Sequence, residues 1–343
     1  MLFSVLIPLY NAEKYIGECI ESILNQTCDD YEVVVVDDGS TDQSSKIVDE
    51  YQKNYPESIR VIHNDNIGVL LTRRRLIKEA KGDYIVWIDS DDLIKPEMLS
   101  ELRAEIHNNN PDVIVFDYEE LDNPNRKYCS LDVADQHIIE AHDKQLVYKR
   151  MLLGRGMNEL CTKCIRRAII DIDVDYTNYK HVRMGDDLFC LIPIFDAAKR
   201  IEYLNKSYYQ YRVVSTSITH TQTYSRYYSY RTIFERENQY LEKWGFSPDE
   251  ISRIRDKFAN SAIDNLVLCA NTPGVSKDEF ISFAKDITAI EEKNTIYSDG
   301  LRTLSSKPYK YFYKIFMKKR YAKLYSRIMF MSKMSKIKRF IRS

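Results

Sequence analysis

Apolar and polar residues follow two rhythms in the first third of the chain: short, mainly apolar runs, and longer stretches with a 3.6-residue period. The runs predict strands at Phe3 to Ile7, Glu32 to Val36, Arg60 to His63, Asp83 to Ile88 and Asp112 to Phe116. The periodic stretches predict helices at Ala12 to Asn25, from Asp42 as a cap through Tyr51, at Val69 to Ala80 and from Pro96 to about Ile106. Tyr15, Ile16, Cys19, Ile20, Ile23 and Leu24 share one face of the first helix. The run from Glu32 to Val36 is nearly all apolar, as expected of a strand covered on both faces. Such alternation predicts an α/β fold, a Rossmann-like, mainly parallel sheet with helices on both faces. Ligands of these sheets bind beyond the carboxyl ends of the strands. The loops Pro8 to Asn11, Asp37 to Asp42 and Asp89 to Asp92 all fall at those ends.

The pattern loosens from Asn123 to Thr221, with a helix expected from Asp186 to Ala198 and a strand pair around Arg200 to Leu204 and Ser207 to Val213. Beyond Tyr224 it is helical: Tyr224 to Trp244, Pro248 to Ala270, Lys277 to Ile290 and Pro308 to about Phe340. Two domains are therefore expected, an α/β domain over 1–222 and a helical region over 223–343. There is no internal repeat.

With 44% apolar and 12% aromatic residues, the 343-residue chain has the composition of a folded protein. No apolar run approaches the roughly 20 residues needed to cross a bilayer. The opening Met1 to Ile7 lacks the basic flank of a signal peptide, so a cytoplasmic location is expected. The seven cysteines show no pairing rhythm and read as reduced thiols. Cys161-Thr162-Lys163-Cys164 lacks the second ligand pair that a zinc site needs. Charge is uneven: Gly300 to Ser343 holds 14 Lys and Arg and no acid, so an overall −1 leaves −15 on the remainder.

The candidate chemistry centres on Tyr84-Ile85-Val86-Trp87-Ile88-Asp89-Ser90-Asp91-Asp92, a short buried strand running into three carboxylates. Strand side chains alternate, so Asp89 and Asp91 can point the same way and share one cation. A hard divalent ion that also holds a diphosphate would relieve their repulsion. An isolated Asp-x-Asp is also a common surface turn, so the rest of the pattern decides.

Val5-Leu6-Ile7-Pro8-Leu9-Tyr10-Asn11, Val35-Val36-Asp37-Asp38-Gly39-Ser40-Thr41-Asp42 and Asp89-Ser90-Asp91-Asp92 together resemble the ordered signatures of the family 2 inverting glycosyltransferases with the GT-A fold. The resemblance covers about the first 220 residues. It implies that Asp38, beside Asp37, accepts the imino proton of a pyrimidine, usually uracil. Pro8 and Tyr10 border the same crevice. Arg73 matches an arginine that reaches the nucleotide phosphates, although here it opens an Arg73-Arg74-Arg75 run where one arginine followed by asparagine is commoner. The resemblance makes Asp91 the direct ligand of Mn²⁺ or Mg²⁺ and brings Asp89 to the ribose or donor sugar, close enough to share the metal. Asp92 stands behind them.

Met184-Gly185-Asp186-Asp187-Leu188-Phe189 is similar to the family's acidic pair at a helix start, where Gly-Glu-Asp is usual. By that match Asp187 is the base and Asp186 replaces a glutamate. A carboxylate in this position is also an ordinary helix cap. Tyr211-Arg212, followed by Ser217-Ile218-Thr219-His220, resembles a closing segment over the donor pyrophosphate. Arg212 and His220 would then bring positive charge or, for His220, a metal contact.

The resemblance implies a nucleoside-diphosphate sugar donor, UDP-linked in most members, and a saccharide acceptor. In the tail, Tyr309, Phe312, Ile315, Phe316, Tyr321, Leu324, Ile328 and Phe330 are interleaved with cations at helical spacing. That pattern suits a helix lying on an anionic membrane surface, and equally a solvated helix packed on the acidic body. On the membrane reading the acceptor would be lipid-linked, as in bacterial surface polysaccharide assembly. Nucleic acid is not expected, since no recognition module accompanies the charge. A sugar-phosphate nucleotidyltransferase is the rival enzyme class, but Pro8-Leu9-Tyr10-Asn11-Ala12 lacks the glycines that would wrap a triphosphate. A noncatalytic adaptor would be expected to lose the acidic residues that this chain keeps.

Overall fold

A computed structural model describes residues 1–128, 131, 137–153, 156–214, 224, 226–292 and 307–342, without the side chains of 257, 259, 291, 292 and 335–342. The chain divides into two compact units, Met1–Ser217 and Ile218–Ser343.

In the first unit the strands β1 (Phe3–Leu9), β2 (Tyr31–Asp37), β3 (Ile59–His63) and β4 (Tyr84–Trp87) form a parallel sheet in the order β3-β2-β1-β4. Helices α1 (Ile16–Leu24), α2 (Ser44–Asn54) and α3 (Val69–Glu79) make the crossovers. Side-chain alternation splits the strands cleanly. Val5, Ile7, Val33, Val35 and Val86 join Ile16, Cys19, Ile20 and Ile23 of α1 in one core, together with Met98, Leu99 and Leu102 of α4 (Met98–Asn109). Leu6, Val34, Val36, Ile85 and Trp87 are equally buried on the other face, where Arg73 of α3 stacks on Trp87. At about 1.5–3 kcal/mol per large apolar side chain, this doubly covered sheet is the main source of the unit's stability.

The sheet continues through β5 (Leu93–Ile94), β6 (Val113–Glu120), β7 (Asn123–Tyr128), β8 (His137–Glu140), β9 (Lys163–Arg166) and β10 (Arg200–Tyr211). The expected parallel half is present, and the sheet is mixed beyond it, because β9 lies antiparallel between β4 and β6. The Cys161 to Cys164 stretch therefore enters a buried strand, with both thiols free. Helices α5 (Gln145–Leu152) and α6 (Asp186–Ala197) complete this unit. One expectation is corrected: the strand pair at 200–213 is the single strand β10. Its register shifts between Leu204 and Ser207, and again before Tyr209, a bulge that carries the polar Asn205-Lys206 step without ending the strand.

The second unit contains helices α7 (Arg226–Tyr240), α8 (Pro248–Asn271), α9 (Lys277–Glu292), α10 (Lys307–Met317) and α11 (Tyr321–Arg342). A capping box between Ser247 and Glu250, with Pro248 as the first helical residue, starts α8. The expected helix from Pro308 to Phe340 is in fact two. It breaks at Lys319, whose φ of 54° lies in the left-handed region that a helix interior cannot use. Phe312, Ile315, Phe316, Tyr321, Leu324 and Ile328 are buried, so this apolar set belongs to a protein core and not to a lipid-facing surface.

Candidate active site

The three signature loops meet at the carboxyl ends of β1, β2 and β4. Asn11, at φ 51°, accepts hydrogen bonds through its Oδ1 from Thr41 N (2.8 Å) and Thr41 Oγ1, while Ala12 N donates to Ser44 Oγ (2.8 Å). These bonds fasten the loop after β1 to the loop after β2. Gly39, at φ 75°, turns the second loop; a Cβ there would lie 2.9 Å from Asn66 N. Tyr10 is half exposed on this rim, with Pro8 partly buried below it.

Asp37 and Asp38 are both buried but differ in their partners. Asp37 accepts from Ser40 N (3.0 Å), Ser45 Oγ (2.5 Å) and His63 Nδ1 (3.0 Å). Burial pushes its carboxyl up, yet these bonds outweigh it and hold the group below the usual carboxylate range. Asp38 accepts from Ile67 N (2.8 Å) and Gly68 N (2.9 Å), which fixes the entry to α3. Each Asp38 oxygen retains a second lone pair for a ligand N–H.

Arg73 is the centre of the site. It is nine-tenths buried, with Nη2 3.3 Å from Asp89 Oδ1 and 3.0 Å from Asp187 Oδ1, and Nε 3.0 Å from Asp186 Oδ2. One guanidinium thus joins the acidic loop after β4 to the acidic start of α6, which lies 113 positions beyond Arg73. The arginine run resolves into three roles. Arg74 is buried over the Tyr176 ring and donates to the carbonyls of Asp171 and Val174, whereas Arg75 pairs with Glu79 on the α3 surface.

The acidic loop is costly as built. Burial, and then Asp89, push Asp91 up to about 6; burial, Asp89 and Asp91 push Asp92 up to about 8. Asp92 accepts from Tyr209 Oη (2.5 Å) and Arg212 N (2.7 Å), and Asp89 N donates to the same tyrosine oxygen (3.2 Å). Among the described residues no Lys or Arg side chain pairs with Asp91 within 4.0 Å, although the Arg212 guanidinium is near enough to lower its pKa. Arg212 Nε donates to Asp91 O (2.9 Å), its Nη2 to Glu18 Oε2 (2.6 Å), and its plane lies over Tyr15. Among the described residues, no three His, Cys, Asp or Glu side chains form a metal cage. The donor set still fits a hard divalent ion, which commonly takes one or two carboxylates and completes its shell with substrate phosphates. His220 lies outside the described residues.

Gly185, at φ 74°, delivers Asp186 and Asp187 to the first turn of α6. Burial pushes Asp187 up to about 7; Arg73 lowers it, and Asp186 and Asp89 raise it. Leu160 N faces its Oδ2 at 3.4 Å. The Asp187 side chain keeps 28% of its surface open, although its Oδ1 is enclosed. The structure therefore brings Arg73, Asp89, Asp186 and Asp187 into contact, with Asp91, Asp92 and Arg212 adjoining. Sequence reasoning missed Tyr209, Glu18 and Leu160 N. Tyr209 falls on the buried alternation of β10, while the other two carry no local signal.

A sheet of this topology, with carboxylates at the carboxyl ends of its central strands, is the GT-A architecture. Glycosyl transferase family 2 is matched by residues 4–170. The chain is 31% identical over 233 residues to Glycosyltransferase GlyG of Streptococcus pneumoniae, covering 64% of this chain and 74% of that protein. It is 30% identical over 230 residues to the uncharacterized glycosyltransferase EpsJ of Bacillus subtilis, covering 64% of this chain and 63% of that one. Residues 1–349 of S. aureus TarS, solved with UDP-GlcNAc, share the fold at a TM-score of 0.65 and 20% identity, covering 97% of this chain and 92% of that one. The chain belongs to glycosyl transferase family 2, and it is a glycosyltransferase.

Proposed function

We propose that this enzyme transfers a hexose or N-acetylhexosamine from a UDP-sugar to a saccharide hydroxyl with inversion, in bacterial surface polysaccharide or glycoconjugate synthesis. The observation that carries the reading is the Arg73 bridge, which sets a carboxylate of raised pKa beside the acidic loop at the sheet's carboxyl edge. Asp187 removes the acceptor hydroxyl proton as that oxygen attacks the anomeric carbon; the bond to the diphosphate breaks, and its electron pair leaves with the phosphate. A general base works best with a pKa near the working pH, and burial brings Asp187 there. Asp186, shorter than the family's usual glutamate, orients Arg73.

Asp38 and Asp37 border the base-binding crevice, Pro8 and Tyr10 its rim, and Asp89 the ribose or donor sugar. Asp91, with Asp89, would hold Mn²⁺ or Mg²⁺, which when bound stabilises the charge developing on the diphosphate. Arg212 brings its charge to the same loop. UDP is favoured as the carrier by the shared fold of TarS, which was solved with UDP-GlcNAc.

The test is a panel of nucleotide sugars with and without Mn²⁺, followed by Asp187→Asn and Asp91→Ala. We expect turnover of a UDP-sugar that depends on metal. Asp187→Asn should lose at least about a hundredfold in transfer while still binding UDP, and Asp91→Ala should lose the response to metal. Normal transfer by the Asp187 variant would remove it as the base.

A further inference from the structure

The basic tail has no part in the chemistry above, and the structure changes what it can do. Its regular apolar stripe is spent inside the second unit: Phe312, Ile315 and Phe316 of α10 and Tyr321, Leu324 and Ile328 of α11 are buried. What faces solvent is a different surface. On α10, Lys307, Lys310 and Lys314 recur at helical spacing and are all exposed. On α11, Lys323, Arg327, Phe330 and Met334 fall at i, i+4, i+7 and i+11, one exposed stripe that begins in cations and ends in apolar groups. Phe330, at 58% exposure, is the most exposed large hydrophobic side chain among the described residues. Met331 adds to the same end.

None of Lys307, Lys310, Lys314, Lys323 and Arg327 pairs with a carboxylate of a described residue. No acidic residue follows Asp299 in the sequence. Among the described residues, these five cations therefore have no carboxylate within 4.0 Å.

We propose that the exposed faces of α10 and α11 form a docking surface for an anionic lipid bilayer. It is held chiefly by lysine and arginine contacts to headgroup phosphates, with Phe330 and Met334 seated shallowly at the boundary between headgroups and acyl chains. The combination points to lipid: cations alone would suit any polyanion, but unpartnered Phe and Met on the same stripe add surface that gains only from an apolar phase. Because the helices' main apolar stripe is committed to the core, adhesion is electrostatic and releases with salt. No helix among the described residues is long and apolar enough to span the membrane, so the contact is peripheral.

The test uses the full chain in flotation with phosphatidylcholine vesicles, with and without phosphatidylglycerol. The protein should float only with the anionic vesicles. It should be released at about 0.5 M NaCl, where the screening length falls to a few ångströms. Lys323→Glu with Arg327→Glu should weaken partitioning by about tenfold or more. Phe330→Ser should weaken it less, and both variants should keep the wild-type melting temperature and donor turnover. Equal binding to neutral vesicles, binding unmoved by salt or by the charge reversal, or tighter binding to duplex DNA than to anionic vesicles at the same ionic strength would each overturn the proposal. If the double variant misfolds, the salt and lipid dependence of the wild-type chain still decides.

Discussion

Replacing Arg73 with lysine tests whether this one side chain sets the protonation of Asp187, the proposed base. The guanidinium lies 3.0 Å from Asp187 Oδ1, 3.0 Å from Asp186 Oδ2 and 3.3 Å from Asp89 Oδ1. Lysine keeps the charge but loses the planar fork, so it cannot serve all three carboxylates. An opposite charge at this range is worth about 1–3 pKa units to a carboxylate. Burial already holds Asp187 at about 7 with the arginine in place, so weakening the pair should raise it by about one unit. The base works unprotonated, so activity rises with pH through the folded pKa. At neutral pH the active fraction should fall from about a half to about a tenth. The assay is the pH dependence of kcat/KM for UDP release from the donor that the panel identifies, since that ratio reports the free enzyme's base. Removing one partner of a buried pair outright can cost about 3–5 kcal/mol, so the charge-keeping lysine is the right change, with melting checked at each pH. A variant that melts normally and keeps the wild-type midpoint would refute the assignment of Arg73 to the base.

Asp92→Asn separates stability from catalysis. The folded Asp92 carboxyl, raised to about 8 by burial, Asp89 and Asp91, favours the protonated fold; that stability is fully present below about pH 4 and lost as pH rises through 8. At 1.36 kcal/mol per unit the loss is on the order of 5 kcal/mol. Asparagine still accepts from Arg212 N and can donate to Tyr209, so the variant should outlast the wild type in urea at about pH 9 and not at about pH 4. An equal difference at both pH values would show that Asp92 does not titrate in this range. The neighbouring arginines give a second contrast in urea unfolding. Arg74→Ala, which removes a buried guanidinium from two carbonyls and from the Tyr176 ring, should cost about 2–3 kcal/mol, whereas Arg75→Ala should stay within about 0.5 kcal/mol. A larger loss at Arg75 would contradict their placement.

The sequence disclosed what periodicity and topology govern. The first four strands are mainly apolar runs between helices of 3.6-residue period, and a parallel sheet then puts all three acidic or polar loops at one edge without any side-chain detail. It did not disclose β9, because Lys163-Cys164-Ile165-Arg166 begins with a cation that a buried strand should exclude. The structure buries Lys163 completely and turns its Nζ back on Glu159 O (2.8 Å) and Thr162 Oγ1 (2.5 Å). The tail was legible as amphipathic, but spacing is the same whether lipid or protein covers the apolar stripe, and here protein does.

The least legible feature was the electrostatic balance of the site. Nothing local to Arg73 announces Asp186, which is 113 positions away. Yet the ratio matters more than any single contact, since one buried cation faces three carboxylates. A second cation of equal proximity would pull Asp187 toward the ordinary carboxylate range, leaving it ionised but a weak base. With none, burial and two neighbouring acids would keep it protonated and idle. One guanidinium shared three ways leaves the group near neutrality, where both a useful ionised fraction and useful basicity survive.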